Sequence, residues 1–418
     1  MANNLLTISQ ITNEALMVLE NELNFAGEIS RDYDDQFAVT GAKIGATINA
    51  RKPARFIGNS GPALAVEDFY ESSVPVTLST QFHVDTQFTT QDLALSVDEF
   101  SDRVLQPAIA AIANKIDRDG LIMAKNATAN IVGVPGTPPS GLITYLTAGA
   151  YLDAEGTPRD GKRAVVVEPF TSSVIVDSLK GLFIPQGTIE KQFKKGLMGR
   201  DSGGMNWKLD QNIVSQTFGA WATTAGTLTA NTSVNAGFVT TGWATTSTIT
   251  LTNSQTLNLQ QGDVITIAGV YAANPQNRQS YGKLRNFVVT AAAGAAAGTF
   301  SVTVSPAIIT AGQFQNVQIT ATSATATVTP FNAAGTTATA VTSPQNLLFH
   351  KNAFTLACAD LLLPEGVHFA GRASDKSAGL SIRVVRQYTI NNDALPTRLD
   401  VLYGYAPLYP EMACRIAA

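Results

Sequence analysis

Between Ser215 and Gln345 the chain carries only four charged residues, Asp263, Arg278, Lys283 and Arg285, in a stretch dominated by Thr, Ala, Ser, Gly and Asn. Low charge argues against a disordered linker, because such linkers are usually charged and self-repelling. Alternation in "STITLTNSQTLNL", "DVITIAG", "NFVVTAA", "TFSVTVS" and "NVQITATSATATVTP" has the period of two that strands require. The expectation is a compact all-β insert, a small barrel or sandwich, with a core drawn from Val264, Ile265, Ile267, Phe287, Val288, Phe300 and Val302. Within it "LNLQQGDVITIAGV" reads as a strand, a tight turn at Gly262-Asp263 and a second strand. Sequence of another kind flanks the insert, and "NLLFHKNAFTLACADLLLP" reads as a return to helix. The insert therefore interrupts a parent domain, with its two ends close together, and is long enough to fold alone.

The parent sequence alternates helical and extended segments. Ile8, Ile11, Ala15, Val18, Leu19 and Leu23 share one helical stripe that Gly27 ends, an amphipathic arm. Ile44, Ala46, Ile48 and Ala50 alternate, "RKPARFIGNSGP" interrupts, and "ALAVEDFY" returns, which reads as a long hairpin. Arg51, Lys52 and Arg55 sit on its outgoing side and Glu67, Asp68 and Glu71 on or just beyond the returning side. Such opposed charges suit a partner, and equally a solvated loop. Ser96 and Glu99 have capping-box spacing ahead of Val97, Phe100, Val104, Ala108, Ile112 and Ile116, a long helix that Pro107 kinks or restarts. Lys115 and Asp119 can pair on its outer face. "RAVVVEPF" is a buried-strand pattern and "TSSVIVDSLKGL" a helix ending at Gly181. "GLSIRVVRQYTI" and "TRLDVLYGYAPLYP" are strands expected to close the parent sheet.

Several functions are disfavoured by what these residues offer. The 418-residue chain is 45% hydrophobic and 14% charged, a globular composition, and its net charge of −4 does not suit a basic groove that tracks phosphates. Lys191, Lys194, Lys195 and Arg200 read as a helix face rather than a nucleic-acid patch. Cys358 and Cys414 belong to no CxxC pair and read as buried small hydrophobes. His83, His350 and His368 have no metal-ligand spacing. "GRDSGG" lacks the end of a phosphate loop, and "DRDG" at Asp117 to Gly120 lacks the remaining ligands of a calcium loop, reading instead as a helix surface followed by a break. No catalytic constellation, metal site or cofactor site is expected. The amino terminus lacks a basic n-region and no apolar run reaches about 18 residues, so neither export by that route nor a membrane span is expected.

The order of "NEALMVLENEL", "GATINARKPARF", "DEFSDRVLQPAIAAIANKIDRDG", "KGLFIPQGTIEKQFKKGLMGRDSGGMNWKLDQNI", the β-insert and "LYGYAPLYPEMACRI" resembles the major capsid (coat) proteins of tailed bacteriophages. The resemblance is to the short-tailed-phage lineage, which adds a β-domain to the Hong Kong 97-like fold, and it spans nearly the whole chain. It implies an α+β fold with an N-terminal arm (1–28), an extended loop with peripheral-domain strands (29–90) and a spine helix (91–130). An axial domain (131–214) would follow, then an inserted β-barrel (215–345) and closing axial and peripheral strands (346–418). It also implies self-assembly into hexamers and pentamers of an icosahedral shell, with a scaffolding protein, a portal protein at one vertex and enclosed double-stranded DNA bound without sequence specificity. The place would be the virion, assembled in the bacterial host cytoplasm, with no membrane partner. Candidate inter-subunit contacts are Arg51, Lys52, Arg55, Glu67 and Asp68 on the loop and Arg278, Lys283 and Arg285 on the insert. Crosslinking relatives use a loop lysine, for which Lys43 and Lys52 are available, but no asparagine partner is identified and no crosslink is expected. The rival reading is a surface adhesin with an immunoglobulin-like module, which the absence of an export signal disfavours.

Overall fold

The computed structural model describes residues 23–31, 47–64, 66–89, 106–178, 203–218, 229–231, 238, 242–253, 257–295, 298–320, 325–331, 340–375, 380–391 and 394–418. The arm stripe before Leu23, the capping box at Ser96, the basic run at Lys191 to Arg200, and Lys43 lie outside these residues. The chain forms two compact units, one of 1–50, 74–121 and 354–408, the other of 51–73, 122–353 and 409–418.

In the first unit, helix α1, Gln106–Ala127, carries Pro107 near its described start and continues into the second unit. Ile109, Ile112 and Ile116 recur at three- and four-residue steps and are fully buried. The expected break after "DRDG" does not occur. Asp117 is buried and accepts the main-chain N–H groups of Asn24 at 2.8 Å and Ala26 at 3.0 Å, and the helix runs on through Gly120. Glycine stands at 120 because a Cβ there would lie 2.7 Å from the Phe25 ring and 2.9 Å from that of Tyr405. The unit's sheet runs in the order Phe354–Ala359, Ala394–Pro407, Leu380–Arg386, Phe369–Asp375, and Thr80–Thr89 pairs along residues 394–403. At its centre the fully buried Asp400 accepts bonds from Arg383 at 2.6 Å and Arg398 at 2.5 Å.

The second unit holds a sheet in the order Ile131–Gly133, Ala413–Ala417, Val341–His350, Arg163–Val167, Asn206–Leu209. Helices α2, Leu142–Ala154, and α3, Pro169–Ser178, supply Tyr145, Ala148, Leu152 and Ile175 to its core. Two expectations are corrected here. The segment "NLLFHKNAFTLACA" is strand rather than helix, because a short apolar run buried on both faces has no periodicity to separate the two. The strands 380–386 and 394–407 belong to the first unit's sheet, while 341–350 and 413–417 complete the sheet around 163–167. Alternation identifies a strand but not its partner.

The neutral stretch contributes a ring of strands to the second unit. Pairing runs Ser280–Val289, Gly298–Ser305, Ser247–Asn253, Thr229–Asn231, Thr325–Pro330, Val264–Ala273, and the last pairs back with the first, so six strands close on themselves. Val317–Ile319 adds to the far half of 264–273. Closure leaves few unpaired edges, which is how a small β-module avoids aggregation. The interior holds Ile249, Leu251, Ile265, Ile267, Phe287 and Val302, with Phe300 partly buried against them. Val264 and Val288 face the opposite way and pack with Ala129, Ile131, Phe218 and Ala417. The expected strand, turn and second strand around Gly262 are present, and Leu257–Leu259 pairs with Ala293–Ala295 rather than with 264–273. Ser215–Phe218 pairs with 341–344, which brings the two ends of the stretch side by side.

Candidate assembly surface

Strands Thr47–Lys52 and Ser72–Thr77 pair as a two-stranded ribbon that carries the 53–71 segment. Glu67 organises the turn at its far end by accepting the N–H groups of Ile57 at 2.8 Å and Gly58 at 2.6 Å, so this carboxylate faces its own loop. Gly58 lies at φ +74° and Gly61 at +118°, backbone that a side chain would strain. The outcome is an apolar surface turned to solvent: Leu64 is 91% exposed, Val66 85%, Phe69 65% and Phe56 59%. Ile57 and Tyr70 extend it, and the Phe56 and Phe69 rings lie 6.3 Å apart.

The cations proposed for the loop have partners within the chain. Arg51 lies 3.8 Å from Glu71, and Arg55 lies 3.7 Å from Glu411. Lys52 sits 4.5 Å from the centre of the Tyr409 ring and 6.0 Å from that of Trp243. Burial lowers its pKa, with Glu411 opposing and Arg55 adding to the shift. Asp68 is exposed, and its main-chain carbonyl accepts a bond from Gln313.

On the barrel, Lys283 is exposed, and Arg278 reaches the loop by donating from Nη2 to the Phe56 carbonyl at 2.8 Å. Arg285 is not on a projecting surface. Its side chain is 3% exposed and bonds the equally buried Glu155 at the end of α2, which also accepts the Tyr281 hydroxyl at 3.2 Å. A second buried seam joins the barrel turn to the sheet. Arg415 donates to the Gly262 carbonyl at 2.9 Å, Asp263 accepts Gln216 Nε2 at 2.9 Å, and Lys125 donates to Gln216 Oε1 at 2.5 Å. Burial lowers the Arg415 pKa to about 10 against the pull of Asp263 and Cys414.

Other groups with possible chemistry are held structurally. His350 is buried between Asp160, 3.0 Å from Nε2, and the Asn352 N–H, 3.2 Å from Nδ1. Cys358 and Cys414 are both buried thiols, and each donates to a main-chain carbonyl, Cys358 to Ser381 at 3.8 Å and Cys414 to Arg415 at 3.5 Å. Among the described residues no group of three or more His, Cys, Asp or Glu could hold a metal ion, and no helix is long and apolar enough to cross a membrane. The charge-based reading missed the apolar loop residues, although "ARFIGNSGPALAVEDFY" shows them as apolar side chains without a core-forming period. Gln313 and Phe314, which touch the loop root, carry no sequence signal at all.

A closed β-module fixed to a mixed sheet, beside a loop that turns its apolar residues outward, defines a structural subunit built to associate. A family model described as "P22 coat protein - gene protein 5" matches residues 1–415, and the chain belongs to that family of tailed-bacteriophage major capsid proteins, structural proteins of the virion that form its shell. Its α+β architecture is consistent with the Hong Kong 97-like fold. Among solved structures it is similar to one from Mycobacterium phage Che8, at 10% identity and TM-score 0.45, covering 94% of this chain and 90% of that one. The capsid of Cyanophage P-SCSP1u matches at 9% identity and TM-score 0.44 over 93% and 88% of the two chains. The mature capsid of bacteriophage PhiM1 matches at 10% identity and TM-score 0.41 over 91% and 84%. No curated protein matches the chain. The family assignment rests on the match over residues 1–415 alone.

Proposed function

We propose that residues 53–71 form the principal inter-subunit contact of this coat protein, laying their apolar surface on a neighbouring copy within hexamers and pentamers of the shell. The observation that carries the reading is the exposure of Leu64, Val66, Phe69 and Phe56 on one loop of a protein whose family builds shells. Exposed contiguous apolar surface mostly marks an interface. A heterologous contact repeated around a rotation axis closes into rings, which is the symmetry that capsomers need. Lys52 and Arg55 act at the root of the loop and Asp68 at its rim, while Lys283 is free to meet a neighbour across the barrel's outer surface. Residues 215–345 serve as an inserted stiffening module, α1 as the spine of a peripheral domain, and the sheet around 163–167 as the axial domain. Assembly takes place in the host cytoplasm with a scaffolding protein and a portal, and the mildly acidic shell encloses double-stranded DNA without gripping it.

Co-expression with the phage's scaffolding protein, followed by electron microscopy, tests the reading. Wild-type protein is expected to give closed shells, and the Leu64→Ser, Val66→Ser double variant to remain as folded, unassembled subunits. Normal shells from the double variant would exclude the loop as the principal contact.

A further inference from the structure

Both limbs of the 53–71 loop are held by the barrel. On the outgoing limb, Arg278 Nη2 donates to the Phe56 carbonyl at 2.8 Å, and the Arg55 guanidinium lies 5.8 Å from the centre of the Phe314 ring. On the returning limb, Gln313 donates to the Asp68 carbonyl, and Tyr70 meets Phe314 edge-on at 5.9 Å. Among the described residues, 53–71 makes no main-chain to main-chain hydrogen bond, so side chains supply its restraint.

The two barrel connections that make these contacts are themselves fixed. Asn274 Oδ1 accepts the N–H groups of Gln276 at 2.8 Å and Asn277 at 3.2 Å, and its Nδ2 donates to the Ala154 carbonyl at 2.7 Å. That turn holds Arg278 at φ +57°, a conformation non-glycine residues adopt only where the surroundings impose it. Phe314 is 6% exposed and packs with Ala307, Ile309 and Trp243. A ring this well seated can orient a loop that touches it.

We infer that Arg278, Gln313 and Phe314 are positioning residues for assembly: they fix the pose in which the loop meets a neighbouring copy. The inference rests on the reading of 53–71 as the inter-subunit contact. A loop already in its bound pose loses less conformational freedom on docking, so releasing it weakens association without removing any surface that touches the neighbour.

The test compares full-length Arg278→Ala, Gln313→Ala and Phe314→Leu with the Leu64→Ser, Val66→Ser tip variant, by hydrogen exchange on the subunit and light scattering with the scaffolding protein. The positioning variants are expected to exchange faster at amides 56–70, with strands 264–273 and 280–289 unchanged. Their threshold concentration for assembly is expected to rise about tenfold. The tip variant should block assembly while leaving exchange at the loop root as in wild type. Blocked tip variants beside positioning variants that loosen the loop yet assemble at the wild-type threshold would overturn the positioning role alone. Unchanged exchange at 56–70 would overturn it too, whereas a tip variant that assembles normally would remove the interface reading beneath it. Should Phe314→Leu disturb the barrel, Arg278→Ala and Gln313→Ala decide, since each deletes a bond to a loop carbonyl.

Discussion

The barrel and the 53–71 loop belong to one compact unit and use apolar residues in opposite ways. Ile249, Leu251, Ile265, Ile267, Phe287 and Val302 are fully buried inside the ring, while Leu64 and Val66 on the loop are 91% and 85% exposed. The ring satisfies its backbone by strand pairing and completes its own burial. The loop leaves burial incomplete and depends on side chains of the ring for its shape. If residues 53–71 are the inter-subunit contact proposed above, stability and association fall to separate segments of one unit.

Paired substitutions offer the most direct way to break that comparison. Phe287→Ala, inside the ring, is expected to lower subunit stability by about 3–5 kcal/mol through lost transfer and an unfilled cavity. Phe56→Ala, on the loop, is expected to stay within about 0.5 kcal/mol of wild type. Urea titration of the two purified subunits checks both, and equal losses would mean that the loop is part of the fold's core. Glu155→Ala should cost about 3–5 kcal/mol, because it leaves Arg285 buried without its carboxylate. If the melting temperature of that variant is unchanged, the barrel's attachment to α2 does not contribute to stability.

A smaller loss, about 1–2 kcal/mol, is expected for Gly262→Ala. The residue lies at φ +90°, and a Cβ there would sit 2.9 Å from Gln216 Oε1 and 3.0 Å from Asn126 Oδ1. The strain falls on the seam between the barrel turn and the sheet, so exchange should rise in 257–264 and remain unchanged in 56–70. Faster exchange at the loop would show that seam and loop are coupled.

How much of this was legible in the sequence depended on the range of the interaction. The strands of the neutral stretch could be read because alternation is local, and the order of segments pointed to the capsid fold. The same alternation did not say which face was interior. Ile265 and Phe287 point into the ring, while Val264 and Val288, one step along each strand, pack on Ile131 and Ala417. Alternation therefore did not show that Val264 and Val288 fasten the ring to the neighbouring sheet strands. The contacts that define the site are longer-range still: Arg278 to Phe56 spans 222 residues, Gln313 to Asp68 spans 245, and Arg285 to Glu155 spans 130. Nothing in the local pattern around Arg285 separates a surface cation from one that closes a buried pair.

A further expected effect is a dependence on pH that Lys125 gives to the seam. Lys125 donates to Gln216 Oε1 at 2.5 Å, and burial, helped by the nearby Arg415 charge and opposed by Asp263, lowers its pKa to about 8. The unfolded chain returns this lysine to its ordinary value near 10.4. Between about pH 8 and that value the unfolded state therefore holds the extra proton, and stability rises with pH across the window. Lys125→Met removes the titration while keeping much of the stem, so any contribution from Lys52, which burial also lowers, cancels in the difference between the two proteins. Urea midpoints at pH 7, 8, 9 and 10 should show wild type gaining on Lys125→Met as pH rises. The neutral amine can still donate to Gln216, so the gain comes from relief of a buried charge and not from a new bond. A constant difference across the series would mean that Lys125 is solvated in the folded subunit and that the seam is closed by Arg415 and Asp263 without it.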